Sequence, residues 1–227
     1  MKQSLLILGT ARESSSRIED KMTRKFLDTN LYKIYLKKLE SLSPQYKVVM
    51  AINKNDTKIW DLTQNTSLEV IERNDKSVAK GISTRSEELH FLKDRPETHI
   101  LWVNGCLPLL KVELIKQIAD FYYLNDIDSL HLIKKRTNWF WGMDKLPINN
   151  TDPKCVSTQG CPHIYESIHA IQLFNKENLL TNNSYWNYTN DKDPYLYEVE
   201  DSLDFFDIDS EFEFQLAEKI YKDVTNN

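Results

Sequence analysis

A chain of 227 residues, 41% hydrophobic and 28% charged, has ordinary globular composition and is long enough for one large α/β unit or two small ones; one unit with an irregular excursion is expected. With 34 acidic against 29 basic side chains the net charge is −5, which excludes the cationic surface needed to neutralise a nucleic-acid backbone. Three cysteines, Cys106, Cys155 and Cys161, lack metal-type spacing and point to a reducing, cytoplasmic setting; no stretch suits a membrane span, and the apolar run near the N-terminus is too short and poorly flanked for a signal peptide.

The first predicted element is a buried strand over Leu5-Leu6-Ile7-Leu8, opening into the polar segment Ala11 to Lys21. Three serines, Ser14 to Ser16, and the cations Arg12, Arg17, Lys21, Arg24 and Lys25 suit phosphate oxygens, although the same stretch also reads as a solvated basic loop. Thr29-Asn30 would cap a helix with Leu31, Ile34, Tyr35 and Leu39 on one face. Strands are predicted at Lys47–Ile52 and Leu68–Ile71, then a helix over Ser86–Lys93. His99–Val103 is nearly all apolar, as central parallel strands are, and ends in the turn Asn104–Pro108. A helix follows over Val112–Tyr123, with Val112, Ile115, Ile118, Ala119 and Tyr122 on one face, then a strand over Ser129–Ile133.

The alternation breaks over an irregular excursion at about residues 137–165, rich in Asn, Pro, Gly and aromatics. A strand is predicted at Ala170–Phe174, an irregular segment from Asn182 to Pro194 and a last strand at Phe205–Asp209. The final helix opens on a Ser210/Glu213 capping box and presents Phe214, Ala217, Tyr221 and Val224 on one face.

Alternating strands and helices specify a mostly parallel sheet covered on both sides, whose ligands sit beyond the carboxyl ends of the strands, at the loops after Leu8, Val103 and Phe206. Asp207 and Asp209, two apart on an extended segment, would project together as hard oxygen ligands for Mg²⁺, although a solvated acidic strand end has the same sequence. The five histidines show no metal-ligand spacing, and Cys106 reads as a packed side chain, not a nucleophile. Trp139, Phe140 and Trp141 suit either a sugar pocket or a dimer contact.

Two of these stretches carry a resemblance. Residues ARESSSRIEDKM are similar to the A-R-G-G-S-K-R-I-P-x-K-N signature of the acylneuraminate cytidylyltransferases, the CMP-sialate synthetases and relatives acting on nonulosonic and 3-deoxy sugar acids. FDIDSEFEFQLAE resembles that family's I-D-I-D-x-x-x-D-F-x-L-A-E ending. Between them LWVNGCLPL resembles the strand and turn L-Q-P-T-S-P-L, and Thr158–Pro162 with AIQLF resembles the later strand region. The resemblance implies a three-layer, Rossmann-like α/β nucleotidyltransferase fold with an irregular dimerisation arm, and a homodimer. It further implies that CMP passes from CTP to an acidic sugar with release of pyrophosphate. Arg12, Ser15 and Lys21 would hold the CTP phosphates, Asp207 and Asp209 Mg²⁺, Asn104 the sugar or nucleotide, and Arg73 with Ser83 or Thr84 the cytosine.

The chain departs from that pattern where the paired glycines are Glu13-Ser14, where the T-S-P-L turn is Cys106-Leu107-Pro108-Leu109, and where Ile168-His169 replaces Asn-Gly. Glu13 would repel a triphosphate unless it points away. A silent nucleotide-binding or scaffolding descendant, and an enzyme with a non-sugar acceptor, are therefore the alternatives.

Overall fold

Two apolar faces on each central strand organise the chain. The computed structural model describes residues 4–15, 17–78, 84–150, 152–188, 193–200 and 202–225. Seven strands, β1 (Leu5–Thr10), β2 (Val48–Ile52), β3 (Glu69–Glu72), β4 (His99–Val103), β5 (Leu130–Arg136), β6 (Ile164–Asn175) and β7 (Tyr195–Glu198), form one sheet in the order β3-β2-β1-β4-β6-β5-β7. β1 lies parallel between β2 and β4, with Ile7 opposite both Val48 and Leu101, and β3 and β7 extend the parallel arrangement at the edges. Only β6 runs antiparallel, pairing Leu173 with Leu101 on one side and Leu130 on the other; its register against β5 shifts between His131 and Leu132.

On one face Leu5, Ile7, Met50, Leu101 and Val103 pack under α1 (Leu31–Leu42), α2 (Thr57–Gln64), α5 (Val112–Leu124) and α7 (Glu211–Thr225). On the other, Leu6, Leu8, Val49, Ala51, Ile100 and Phe174 pack under Leu89, which joins α4 (Arg85–Glu88) to the 3-10 turn His90–Asp94, under Leu92 of that turn and under Leu179 of α6 (Lys176–Asn182). Each such aliphatic side chain contributes about 1.5–3 kcal/mol when fully withdrawn from water, so the central strands are fixed from both sides. This is the expected three-layer α/β architecture.

Local chemistry sets the helix ends. Asn30 caps α1 by accepting the Lys33 N–H at 2.8 Å, as its position predicts. Ser210 accepts the Glu213 N–H at 3.3 Å, while the Glu213 carboxylate takes the Ser210 hydroxyl and the Asp209 N–H, each at 2.9 Å, so the expected box opens α7. Its apolar face is shorter than expected: Phe214 and Ala217 are buried, Tyr221 packs against Phe26, and Val224 is exposed.

Six segments differ from the sequence-based expectation. Phe205–Asp209 is not a strand: a 3-10 turn at Leu203–Phe205 leads into an extended segment tied by the Ile208 N–H to the Cys106 carbonyl at 3.2 Å, and β7 is the last strand. Ser86–Lys93 is divided between the short α4 and the 3-10 turn. β6 starts at Ile164, so the excursion returns as part of a twelve-residue strand. The helices α2, α3 (Asp75–Val78) and α6 lie in segments assigned no helix.

Trp139 and Trp141 are well exposed, on an arm where Asn149 holds the Phe140 N–H and the Asn138 and Pro162 carbonyls. Neither lines the cleft described next.

Candidate active site

The carboxyl ends of the parallel strands β1, β3 and β4, with the middle of antiparallel β6, border one cleft of about 860 Å³. Its entrance comes from the loop after β1, which contributes Arg12, Ser14, Ser15, Arg17 and Lys21. The turn after β4 adds Asn104, Gly105 and Cys106, and the far wall is formed by Arg85, Glu88, His169, Gln172, Tyr185 and Trp186. Gly105 is required by close packing: a Cβ there would fall 2.7 Å from the Tyr35 ring, whose hydroxyl donates to the Val103 carbonyl at 2.6 Å.

The basic loop is sorted by burial. Lys21 is only 8% exposed; its ammonium donates to the Ile208 carbonyl at 2.6 Å and lies 3.7 Å from Asp209 Oδ1. Arg17 reaches the other oxygen of Asp209 at 2.8 Å. Arg24 grips Glu211 through two 2.8 Å bonds and covers the Phe214 ring at 4.1 Å, so it anchors α7 and does not face the cleft. Arg12 is exposed at the mouth. Ser15 lines the same mouth, its hydroxyl accepting the Ile18 N–H at 3.4 Å.

Glu13 turns away from the cleft centre. Its carboxylate accepts the Lys58 N–H at 2.5 Å and the Ile59 N–H at 3.4 Å, capping α2, whose adjoining Asp56 makes no side-chain cap bond. The negative charge thus satisfies orphan donors at a helix N-terminus, where the helix dipole favours it.

Asp207 and Asp209 flank the buried Ile208; neither lines the cleft itself, but Asp209 meets Arg17 and Lys21, which do. Asp207 Oδ2 accepts from the Asn104 amide at 3.3 Å, whereas Oδ1 is buried and has no partner. Burial first, and then the neighbouring charge of Asp209, push the Asp207 carboxyl above the usual carboxylate range.

Asn104, expected to face a ligand, lines the cleft, but its amide is committed: it donates to the His169 carbonyl and Asp207, and accepts the Cys106 N–H at 2.9 Å. It fixes the turn and orients Asp207. Cys106 is packed beside it, and burial pushes its thiol up. Arg73 is buried in the cleft wall, bonded to the Ser77 hydroxyl and carbonyl and 3.5 Å from Glu88, which also pairs with Arg85. Thr84 lines the cleft and caps α4 by accepting the Glu87 N–H. Ser16 and Ser83 lie outside the described residues.

The far wall was not anticipated. Gln172 Oε1, Tyr185 Oη and Trp186 Nε1 are buried without partners, and Tyr185 packs on Trp102 and Phe174. Gln172 carried a signal, being the single polar residue in Ala170–Phe174; Tyr185 and Trp186 come from a segment whose fold depends on distant contacts. Behind them His131 contacts the Ser167 hydroxyl and the Trp186 ring, and burial, followed by His169, lowers its pKa to about 4.

The unfolded chain protonates this imidazole near pH 6.5, so between about pH 6.5 and 4 it binds more protons than the folded chain. Stability should therefore fall as pH drops through that window, by up to about 1.4 kcal/mol per pH unit. Melting temperatures of His131→Gln should show a shallower acid decline than the wild type; parallel curves would refute this role.

A doubly covered, mostly parallel sheet with a cationic loop and two carboxylates at its carboxyl edge defines an α/β nucleotidyltransferase-like protein. The sequence model of the cytidylyltransferase family matches residues 6–225, and the chain belongs to that family. No curated protein sequence matches it. The fold is similar to that of 4-diphosphocytidyl-2C-methyl-D-erythritol synthase from Anaerococcus prevotii (TM-score 0.67, 16% identity, covering 98% of this chain and 100% of that one). It is also similar to CMP:2-keto-3-deoxy-manno-octonic acid synthetase complexed with CTP (TM-score 0.69, 9% identity, 98% and 100% covered). A cytidylyltransferase from Leptospira borgpetersenii gives a TM-score of 0.60 at 16% identity, with 98% of this chain and 87% of that one covered.

Proposed function

We propose that the protein transfers CMP from CTP to a hydroxyl of an acidic sugar, a sialic, nonulosonic or related 3-deoxy acid, releasing pyrophosphate. The observation that carries this reading is the meeting of Lys21 and Arg17 with Asp209, beside Asp207, at the cleft formed by the β1 loop and the β4 turn. Arg12, Ser15 and Lys21 hold the phosphates. Lys21, fixed by the Ile208 carbonyl, offsets the charge that grows on the leaving pyrophosphate, a positioning and electrostatic role that needs no protein nucleophile. Arg73, with Thr84, borders the base, while Asn104 acts by orienting Asp207.

Asp207 and Asp209 fit a Mg²⁺ ion. Asp207 Oδ1 is a buried carboxylate oxygen without a partner, and two carboxylates leave room for phosphate oxygens and water, the mixed shell Mg²⁺ prefers. When bound, Mg²⁺ orients the phosphates and lowers the pKa of the attacking hydroxyl. Glu13 favours an active enzyme over a silent descendant, because its charge caps α2. The exposed Trp139, Trp141, Met143, Leu146 and Ile148 on the arm suit a second copy of the chain.

The test is pyrophosphate release from CTP with Mg²⁺ across sialic, nonulosonic and octulosonic acids and 2C-methyl-D-erythritol phosphate, with Asp207→Ala and Asp209→Ala as controls. Release that requires one sugar acid and is lost in both variants is expected. Release with only the methylerythritol acceptor would move the reading to a non-sugar alcohol, and CTP binding without any release would favour the silent module.

A further inference from the structure

The two cations that meet Asp209 are held very differently. Lys21 is buried and tied to the Ile208 carbonyl, so it is part of the frame. The Arg17 side chain is 62% exposed, lines the cleft mouth, and reaches Asp209 Oδ2 at 2.8 Å. Glu213 is occupied by the Asp209 N–H and the Ser210 hydroxyl, and thereby holds the Asp209 backbone in place. An oxygen that already accepts from a guanidinium is a poorer metal ligand, and the guanidinium's charge repels a cation approaching the same carboxylate. A triphosphate offers that guanidinium a better partner, because its oxygens match the planar fork and carry more charge than one carboxylate.

We propose that Arg17 is an exchangeable counter-ion that makes divalent-cation binding at Asp207 and Asp209 conditional on nucleotide: it neutralises Asp209 until a triphosphate draws it away. This rests on the donor-site reading given above. Arg17 is thus a positioning residue whose partner switches, while Lys21 stays tied to the Ile208 carbonyl. Because coupling between sites is reciprocal, Asp209 must also hold Arg17 back from the phosphates and weaken nucleotide binding when no metal is present.

The exchange is tested by binding alone. Mn²⁺ is titrated into full-length wild type, Arg17→Met and Asp209→Asn without nucleotide, with free Mn²⁺ read by electron paramagnetic resonance; CTP is titrated into the same proteins in EDTA. Arg17→Met is expected to bind Mn²⁺ about tenfold more tightly than wild type, and Asp209→Asn to bind metal-free CTP at least about threefold more tightly. An ion pair lying outside the metal and nucleotide sites would produce neither gain. Equal Mn²⁺ affinity in wild type and Arg17→Met, together with unchanged CTP affinity in Asp209→Asn, would overturn the exchange while leaving the donor site standing. Absence of Mn²⁺ binding in all three proteins even with CTP would overturn the metal reading and the exchange with it.

Discussion

Replacing Lys21 by methionine is expected to slow pyrophosphate release from CTP by about 10²–10³-fold, the loss typical when one preorganised charge partner of a transition state is removed. Methionine keeps most of the stem volume, so the packing around this buried side chain survives. What disappears is the ammonium that meets the Ile208 carbonyl and Asp209. Leaving that carbonyl without its donor should cost a further 1–3 kcal/mol of stability, about 2–4 °C of melting temperature per kcal/mol in a chain of this size. Steady-state rates at saturating CTP, read beside thermal melts, separate the two effects. A folded variant with near wild-type turnover would remove Lys21 from the mechanism.

The second large effect concerns Glu13, where the protein departs most visibly from the signature it resembles. Glu13→Gly should destabilise the protein by about 1 kcal/mol, because the Lys58 and Ile59 N–H groups lose their cap and Asp56 does not supply one. Ile59 is fully buried, so fraying at this end loosens the core directly beneath the phosphate loop. Turnover should fall or stay level. Differential scanning calorimetry and the pyrophosphate assay check both halves, and a large gain in turnover would show instead that Glu13 obstructs the nucleotide.

Elements with strong apolar periodicity were legible in the sequence. β1, β4, α1 and α5 bury nearly every apolar side chain their spacing assigns to the core. α2 was hidden because it buries only Ile59 and Thr63 and takes its cap from a residue 45 positions away. β7 was hidden because it is a short edge strand with exposed Tyr195 and Leu196, and it exists through pairing with β5. Residues 205–209 imitate a strand by alternating apolar and acidic side chains, yet only Ile208 is buried and only tertiary contacts hold it.

The site divides in the same way. Arg12, Ser15 and Lys21 sit on a loop whose place after a buried strand is local information, and the structure brings Lys21 to Asp209. That Asn104 would spend its amide on Asp207, and that Gln172, Tyr185 and Trp186 would line the opposite wall, depends on strand pairing and packing between residues far apart in sequence.

The clasp between Arg24 and Glu211, reinforced by Phe26 against Phe214 and by the Leu27 N–H on Glu218, joins residues 187 to 191 positions apart. During synthesis the basic loop therefore leaves the ribosome long before its acidic counterparts exist. At 5–20 residues per second, roughly ten to forty seconds pass before Arg17, Lys21 and Arg24 can meet Asp209 and Glu211. The central strands can pair in that interval, but the cleft is completed last, when α7 docks. Chains released after truncation before Asp207 should therefore lack the nucleotide site even where the strands β1 to β7 are all present.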